Sequence, residues 1–254
     1  MILAVDIGNS SVTFGVFDAT ELTETFAFPT SEIIFGVNAE ELQQKLITLQ
    51  QIKNVVIASV VPDATDNLRL VIATSILSAT ITVIHNDDVP IINRYRHPEQ
   101  VGTDRLLSAL AGYHLYAKSK HKSLIVIDLG TATTFDCVNT EGEYLGGIIS
   151  LGVESSARHL SSIAAQLPNV TLEFPPHVLG TNTIESMQSG ILYGSLASIE
   201  GLVLRLREEV FAGQEIIVVS TGGLSRLFSG KTSIINYVDP SLVLRGILIT
   251  ALSL

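Results

Sequence analysis

Cysteine is almost absent. The 254 residues contain one, Cys137, which excludes an internal disulfide and a metal site built on cysteines. It also suits a reducing cytoplasm. Cys137 follows Phe135 in an apolar stretch and reads as a small core residue, not a nucleophile. Charge is sparse as well, at 16% of residues, and one-sided: 15 Lys and Arg stand against 25 Asp and Glu, a formal net charge of −10. Such a surface repels nucleic acid and anionic membranes, so neither is expected as a partner. An anionic ligand must then be held by local donors and cations. No apolar run approaches the ~18 residues of a membrane span, and the opening MILAVD has no basic segment of the kind that starts a signal peptide. His114, His121, His159 and His177 have no partners at metal-ligand spacing and read as solvated or capping residues.

Apolar residues, by contrast, make up 46% of the chain, enough for a large core in one large domain or two modest ones. The stretch that organises the rest is 124–136, LIVIDLGTATTFD, an apolar strand that ends on Asp128 and turns through Gly130 into small residues. An earlier stretch, LAVDIGNSSVTFG, repeats the design. Asp6 aligns with Asp128, Gly8 with Gly130, Asn9 with Thr131 and Ser11 with Thr133, an interval of 122 residues. Two related halves follow, with a boundary expected at 112/113, so that 1–112 and 113–254 form two domains.

The chemistry of such a turn points to phosphate. Glycine permits a backbone geometry that lets successive amides aim at one anion, and small hydroxyl side chains add donors without blocking approach. The Asp at the strand end cannot bind phosphate directly, since both are anionic. Its expected work is to hold a cation or cation-bound water beside the phosphate. One D-x-G alone would be an ordinary turn signal; its duplication is what argues for more.

In chain order, LAVDI, SVTFGVF and LTETFAF read as three strands separated by turns at 8–9 and 18–20, ended by Pro29. Helical spacing follows over 38–50, then a buried strand VVIASVV, a helix from Pro62 to about residue 77, and the strand ITVI. This is an α/β half-domain. The loop 86–103 is too long and polar for a plain connector and delivers the chain to a helix starting at 102–105. Asp104 in that first turn would ordinarily complement the helix dipole. Arg105 runs against the dipole, so an anionic partner is expected for it.

The second half repeats the three-strand opening, turns at 141–142, and continues through EYLGGIISLGV into a helix over 153–167. The longest helix is expected over 180–210, with Asn182 and Glu185 at capping-box spacing. Its small-residue stretch 190–198 would let another helix come close, within the chain or from a second copy. EIIVVS is the next buried strand, and Thr221-Gly222-Gly223 makes a third glycine turn at a strand's carboxyl end, where α/β sheets place their ligands. A strand and a helix over 240–254 close the fold.

Two duplicated α/β halves with D-x-G hairpins and a late GG turn resemble the actin and sugar-kinase superfamily, with its ribonuclease-H-like domains. The series DIGNSSVTFGVF, SVVP, NRYRHPEQVGTDR, VIDLGTATTFD, GEYLGGII, GTNTIESMQSGILYG and STGGL is similar, over nearly the whole chain, to type III pantothenate kinases. The resemblance implies an ATP-dependent kinase that phosphorylates pantothenate in the first step of coenzyme A biosynthesis. It implies a first phosphate loop of Asp6, Ile7, Gly8, Asn9, Ser10, Ser11, Val12 and Thr13, ATP contacts from Thr131, and adenosine against Gly222 and Gly223. Asp128 would ligate a monovalent cation, K⁺ or NH₄⁺, with Mg²⁺ accompanying ATP. Tyr95, Gly102, Thr103, Asp104, Arg105 and Thr183 would bind pantothenate, with Asp104 as the base and Arg105 on the carboxylate. A homodimer is also implied, which favours the second-copy reading of the small-residue helix. Ser10 stands where the family usually has Thr, Thr103 fills the variable position of G-x-D-R, and SLGVES at 150–155 replaces the usual Ala-Pro-Gly form. A non-catalytic regulator of the same fold would be expected to have lost a hairpin carboxylate or glycine, and Asp6, Asp104 and Asp128 are all present. A sugar kinase would generally be longer.

Overall fold

The computed structural model describes residues 1–164 and 166–254. By its internal contacts the chain divides into two units, Met1–Ala111 with Ser241–Leu254, and Gly112–Pro240.

In the first unit, β1 (Ile2–Ile7), β2 (Ser11–Asp18) and β3 (Glu21–Pro29) form an antiparallel meander, and β4 (Asn54–Ser59) and β5 (Thr80–Ile84) add in parallel to give the order β3-β2-β1-β4-β5. The strands are read correctly from sequence because their patterns differ as their environments do. β1 and β4 are buried on both faces and run as continuous apolar stretches, while β3 alternates along the sheet edge. Cross-strand partners Phe14 and Phe26 stack with ring centroids 4.6 Å apart. Helices α1 (Thr30–Phe35), α2 (Ala39–Ile47) and α3 (Pro62–Ser75) cover the sheet, burying Ile33, Leu42, Leu46, Leu68 and Ile72 against Leu3, Val5 and Ile57. α1 is not foreseen by the sequence reading, being under two turns long. A short strand β6 (Ile92–Asn93) lies in the long loop before α4 (Thr103–Gly112).

The terminal helix α8 (Leu242–Ala251) packs on β1, β2 and β4. A Cβ on its Gly246 would stand 2.2 Å from the Leu107 carbonyl oxygen, so glycine lets α8 lie directly against α4. Residues 241–254 thus group with the first unit, although chain order alone suggests the second.

The second unit repeats the scheme. β7 (Ser123–Leu129), β8 (Ala132–Val138) and β9 (Glu143–Leu151) form the meander, and β10 (Ile216–Thr221) and β11 (Tyr237–Val238) extend it in parallel beyond β7. The turn into β9 needs Gly142 at φ +84°, where a Cβ would meet the Tyr113 ring at 2.6 Å. Tyr113 in turn donates to the Thr140 carbonyl at 2.6 Å. α5 (Val153–Ile163), α6 (Thr183–Glu209) and the short α7 (Ser225–Phe228) pack on this sheet around Ile125, Ile127, Phe135, Leu192 and Val218. α5 stops at Ile163, where Ala164 becomes extended; the expected continuation to 167 passes through residue 165, which lies outside the described residues. Cys137 is buried in the core, as its composition suggested.

Candidate active site

The two Asp-x-Gly stretches form the same hairpin with a one-residue difference. In the first, Asp6 pairs with Thr13 and Ile7 with Val12, and the turn closes through a Gly8 N–H donated to the Ser11 carbonyl at 3.0 Å. In the second, Asp128 pairs with Thr134 and Leu129 with Thr133, and Gly130 donates to Ala132 at 3.1 Å. The loops hold four and three residues respectively. By ladder position Thr133 therefore matches Val12, not Ser11, and the sequence alignment slips by one after the turn.

Of the first-loop residues, Asn9, Ser10 and Ser11 are exposed and Gly8 half-buried. The side chains of Ile7 and Val12 are in the core, which leaves their backbone alone to face a ligand. Sequence reading missed what holds this loop. Thr30, buried at the start of α1, donates its hydroxyl to the Gly8 carbonyl at 2.6 Å, and its N–H to the Ser10 carbonyl at 3.1 Å. A Thr directly after Pro29 is the only signal that could have found it.

The second loop is held from two sides. Its Thr131 carbonyl accepts the Gly152 N–H at 3.2 Å and the Ser155 hydroxyl at 2.8 Å. A Cβ on Gly152 would lie 2.3 Å from that oxygen. The SLGVES segment thus forms the wall behind the hairpin, and Ser155 supplies a donor there. On the other side, Thr221 pairs with Asp128 across β10 and β7, and Leu224 donates to the Leu129 carbonyl at 3.2 Å. Gly222 has φ +87°, and a Cβ on it would stand 2.3 Å from Asp128 Oδ1. A Cβ on Gly130 would be 3.4 Å from the same oxygen. Asp128 is half-buried between two glycine backbones while Thr131 is exposed beside it.

A carboxylate oxygen in such a cradle suits a hard cation, for which oxygen is the preferred donor. Among the described residues no group of three or more His, Cys, Asp or Glu is placed to hold a metal. Asp128 offers one carboxylate here, so a cation beside it would take its remaining oxygen donors from backbone or from a ligand.

Asp104 sits in the first turn of α4, half-buried, and its Oδ1 accepts the Arg105 N–H at 2.9 Å. A Cβ on Gly102 would come within 2.4 Å of that Oδ1, so glycine at 102 gives the carboxylate its place. Burial pushes the Asp104 pKa above its ordinary value; the Arg105 N–H and the Arg105 charge oppose this but do not cancel it. Arg105 is half-buried beside it. In the loop before the helix, Asn93 accepts the Tyr95 N–H at 3.0 Å and fixes the backbone that carries Tyr95.

In the second unit, Asn182 caps α6 by accepting the Glu185 N–H at 3.0 Å. Glu185 reaches back one residue further than a capping box does, accepting both the N–H and hydroxyl of Thr181 at 2.9 Å. Those bonds draw the Glu185 pKa down. Thr183 is exposed at the mouth of a groove of about 1020 Å³, whose walls include Thr133, Ser150, His159, Gly190 and Gly194.

The model of the type III pantothenate kinase family matches residues 2–205 of the chain. Among solved structures, a Baf family protein from Campylobacter jejuni, proposed to be a transcriptional activator, is 18% identical with a TM-score of 0.62, over 99% of this chain and 98% of that one. A proposed N-acetylmannosamine kinase from Listeria monocytogenes is 11% identical with a TM-score of 0.51, over 99% and 98%. The ethanolamine utilization protein EutJ from Carboxydothermus hydrogenoformans is 13% identical with a TM-score of 0.50, over 98% and 89%. At these identities the likeness concerns the fold: a mixed α/β architecture shared with sugar kinases and actin-like proteins, as the duplicated hairpins suggested.

Proposed function

The chain belongs to the type III pantothenate kinase family, phosphotransferases of coenzyme A biosynthesis, and from that premise we propose how its residues move the γ-phosphoryl group of ATP to the primary hydroxyl of pantothenate. The observation that carries the assignment of roles is Asp104, a half-buried carboxylate whose proton affinity is raised by burial. The acceptor hydroxyl is a weak nucleophile and must lose its proton as the new P–O bond forms. A carboxylate with raised affinity is better matched to take it than one at the ordinary value. Arg105 pairs with the pantothenate carboxylate and Tyr95 lines the substrate, so that the distal hydroxyl is directed at Asp104; Thr183 is our proposed pantothenate contact from the second unit.

In the first unit the hairpin at 6–13 supplies amide and hydroxyl donors for phosphate; in the second unit Thr131 is our proposed ATP contact, through its hydroxyl. Gly222 and Gly223 present bare backbone to adenosine. Asp128 would hold K⁺ or NH₄⁺, and such a cation, with Mg²⁺ accompanying ATP, would supply positive charge to a transfer whose loose transition state leaves catalysis mainly to alignment and electrostatics. A cytoplasmic setting, where ATP is abundant, belongs to the same reading. No helix among the described residues is long and apolar enough to cross a membrane.

The test is ADP release by the purified protein with ATP and Mg²⁺, with and without pantothenate, in potassium and in sodium buffer. Release should require pantothenate and fall when potassium is withdrawn. Activity indifferent to the cation would remove the role of Asp128, and pantothenate-independent ADP release would remove the acceptor.

A homodimer formed through α6 completes the proposal. Gly190, Gly194 and Gly201 lie exposed on this helix, and a Cβ on any of them would meet nothing within 4 Å. Each glycine costs a helix interior about 1 kcal/mol relative to alanine, and no close approach among the described residues accounts for that. The bare stripe suits a second copy, with Ile149 and Leu151, both over 60% exposed, supplying apolar area. Gly194→Gln should convert a dimer to a monomer in size-exclusion chromatography with light scattering. A dimer that survives this change would place the contact elsewhere.

A further inference from the structure

The loop 86–103 leaves β5 and returns to the start of α4, and one side chain ties its two ends together. Asn86 donates from Nδ2 to the Val101 carbonyl at 2.6 Å, and its Oδ1 accepts the Thr103 hydroxyl at 2.6 Å. Thr103 is 9% exposed. An asparagine amide offers a donor and an acceptor in one plane, and here both are used on residues that flank Gly102, the glycine against which the Asp104 carboxylate rests. The helix beyond is fixed by Arg105 and Leu106 N–H groups donated to the Gly102 carbonyl at 3.1 and 3.3 Å. Asn86 itself is anchored, because its carbonyl accepts the Val89 N–H at 3.2 Å and the preceding His85 N–H donates to Asp88 at 2.8 Å.

We infer that Asn86 is a positioning residue for phosphoryl transfer, holding Val101 and Thr103 so that Gly102 and Asp104 keep their places. This rests on the reading of Asp104 as the base. Thr103 contributes to this clamp through its hydroxyl proton. The clamp explains how the variable position of G-x-D-R serves in this chain: it holds a β-branched hydroxyl that Asn86 can grip. Misplacing a reacting group by about 1 Å can cost on the order of 10²-fold in rate without touching ligand affinity, and that sets the size of the effect.

Steady-state kinetics of Asn86→Ala, Thr103→Val and the double variant, with thermal unfolding in parallel, test the inference. Asn86→Ala and Thr103→Val should each lower kcat about 10- to 100-fold, with KM for ATP within about twofold of wild type. The double variant should lose little more than the worse single one, since both remove the same bond. Asp87→Ala, at an exposed neighbour in the same turn, should leave kcat unchanged. A lowered melting temperature with kcat preserved, or losses that multiply in the double variant, would make Asn86 a stability residue and overturn the inference. If Asp104→Asn proved active, the base reading would fall and the inference with it. If Asp104→Asn were inactive while Asn86→Ala kept full kcat, the inference alone would fall.

Discussion

Asp104→Asn is expected to bind ATP as the unaltered protein does and to transfer phosphate to pantothenate about 10²- to 10⁴-fold more slowly, the usual worth of a general base. The amide keeps an oxygen that can accept the Arg105 N–H, so the first turn of α4 should stay folded. What it loses is the ability to take a proton. Burial raises the carboxyl pKa from 3.8, so the folded protein holds this proton more tightly than the unfolded chain does. Stability from this group is therefore greatest in acid, falls as pH rises from 3.8 to the raised value, and stays lower above it. At neutral pH the ionised carboxylate is thus a cost to the fold, and Asp104→Asn should melt at or above the temperature of the unaltered protein. That advantage should vanish on acidification below 3.8. Activity follows the opposite sign. The base works only when deprotonated, so kcat should rise with pH along a limb displaced upward from 3.8. A variant with near-normal turnover, or one whose loss of activity is matched by loss of fold, would take Asp104 out of the chemistry.

The raised affinity could not have been read from the sequence, which shows an acid in a first helical turn and nothing of what covers it. Much else was legible, because the determining interactions are local. β1, β2, β7 and β8 announce themselves as apolar runs broken at Gly8 and Gly130, and the start of α6 by Asn182 three residues before Glu185. What escaped notice depends on residues far apart in the chain. Thr30 is an unremarkable threonine until the fold brings the Gly8 carbonyl to 2.6 Å from its hydroxyl. Asn86 looked like one polar residue in a polar loop, and its meaning lies 15 and 17 residues away. Asp136 ends the stretch LIVIDLGTATTFD with no role read for it, yet it is fully buried and accepts hydroxyls from Tyr144 at 2.8 Å and Thr134 at 3.1 Å. Burying a carboxylate there is tolerable only with such donors. The one-residue difference between the two hairpins was hidden for a related reason: Gly8 and Gly130 align by eye, whereas ladder register is set by pairing with the next strand.

The adjacent glycines at 222 and 223 should separate under substitution, since only one of them needs to be glycine for the fold. At Gly222 a Cβ would sit 2.3 Å from Asp128 Oδ1 and 2.8 Å from the Leu129 backbone, with φ at +87°. The strained backbone costs about 1–3 kcal/mol and the overpacking about as much again, against a total stability on the order of 5–15 kcal/mol. The neighbours are backbone atoms and a short side chain, which cannot swing aside. Gly222→Ala should therefore lower the melting temperature by roughly 10 °C. Because the atom in the way is the carboxylate proposed to hold the cation, the surviving folded enzyme should also lose its preference for potassium over sodium. At Gly223 a Cβ would meet nothing within 4 Å and φ is not positive. Gly223→Ala should melt where the unaltered protein does and keep its potassium dependence. Its effect should appear as a raised KM for ATP, because the added methyl meets adenosine and not the protein. Thermal unfolding paired with kinetics in the two salts reads all four quantities. Equal melting temperatures for the two variants would mean that the Gly222 turn can relax, and an unchanged KM in Gly223→Ala would move adenosine away from this turn. A Gly222→Ala enzyme that is destabilised yet still prefers potassium would dissociate the cation from Asp128, leaving the glycine cradle a purely structural device.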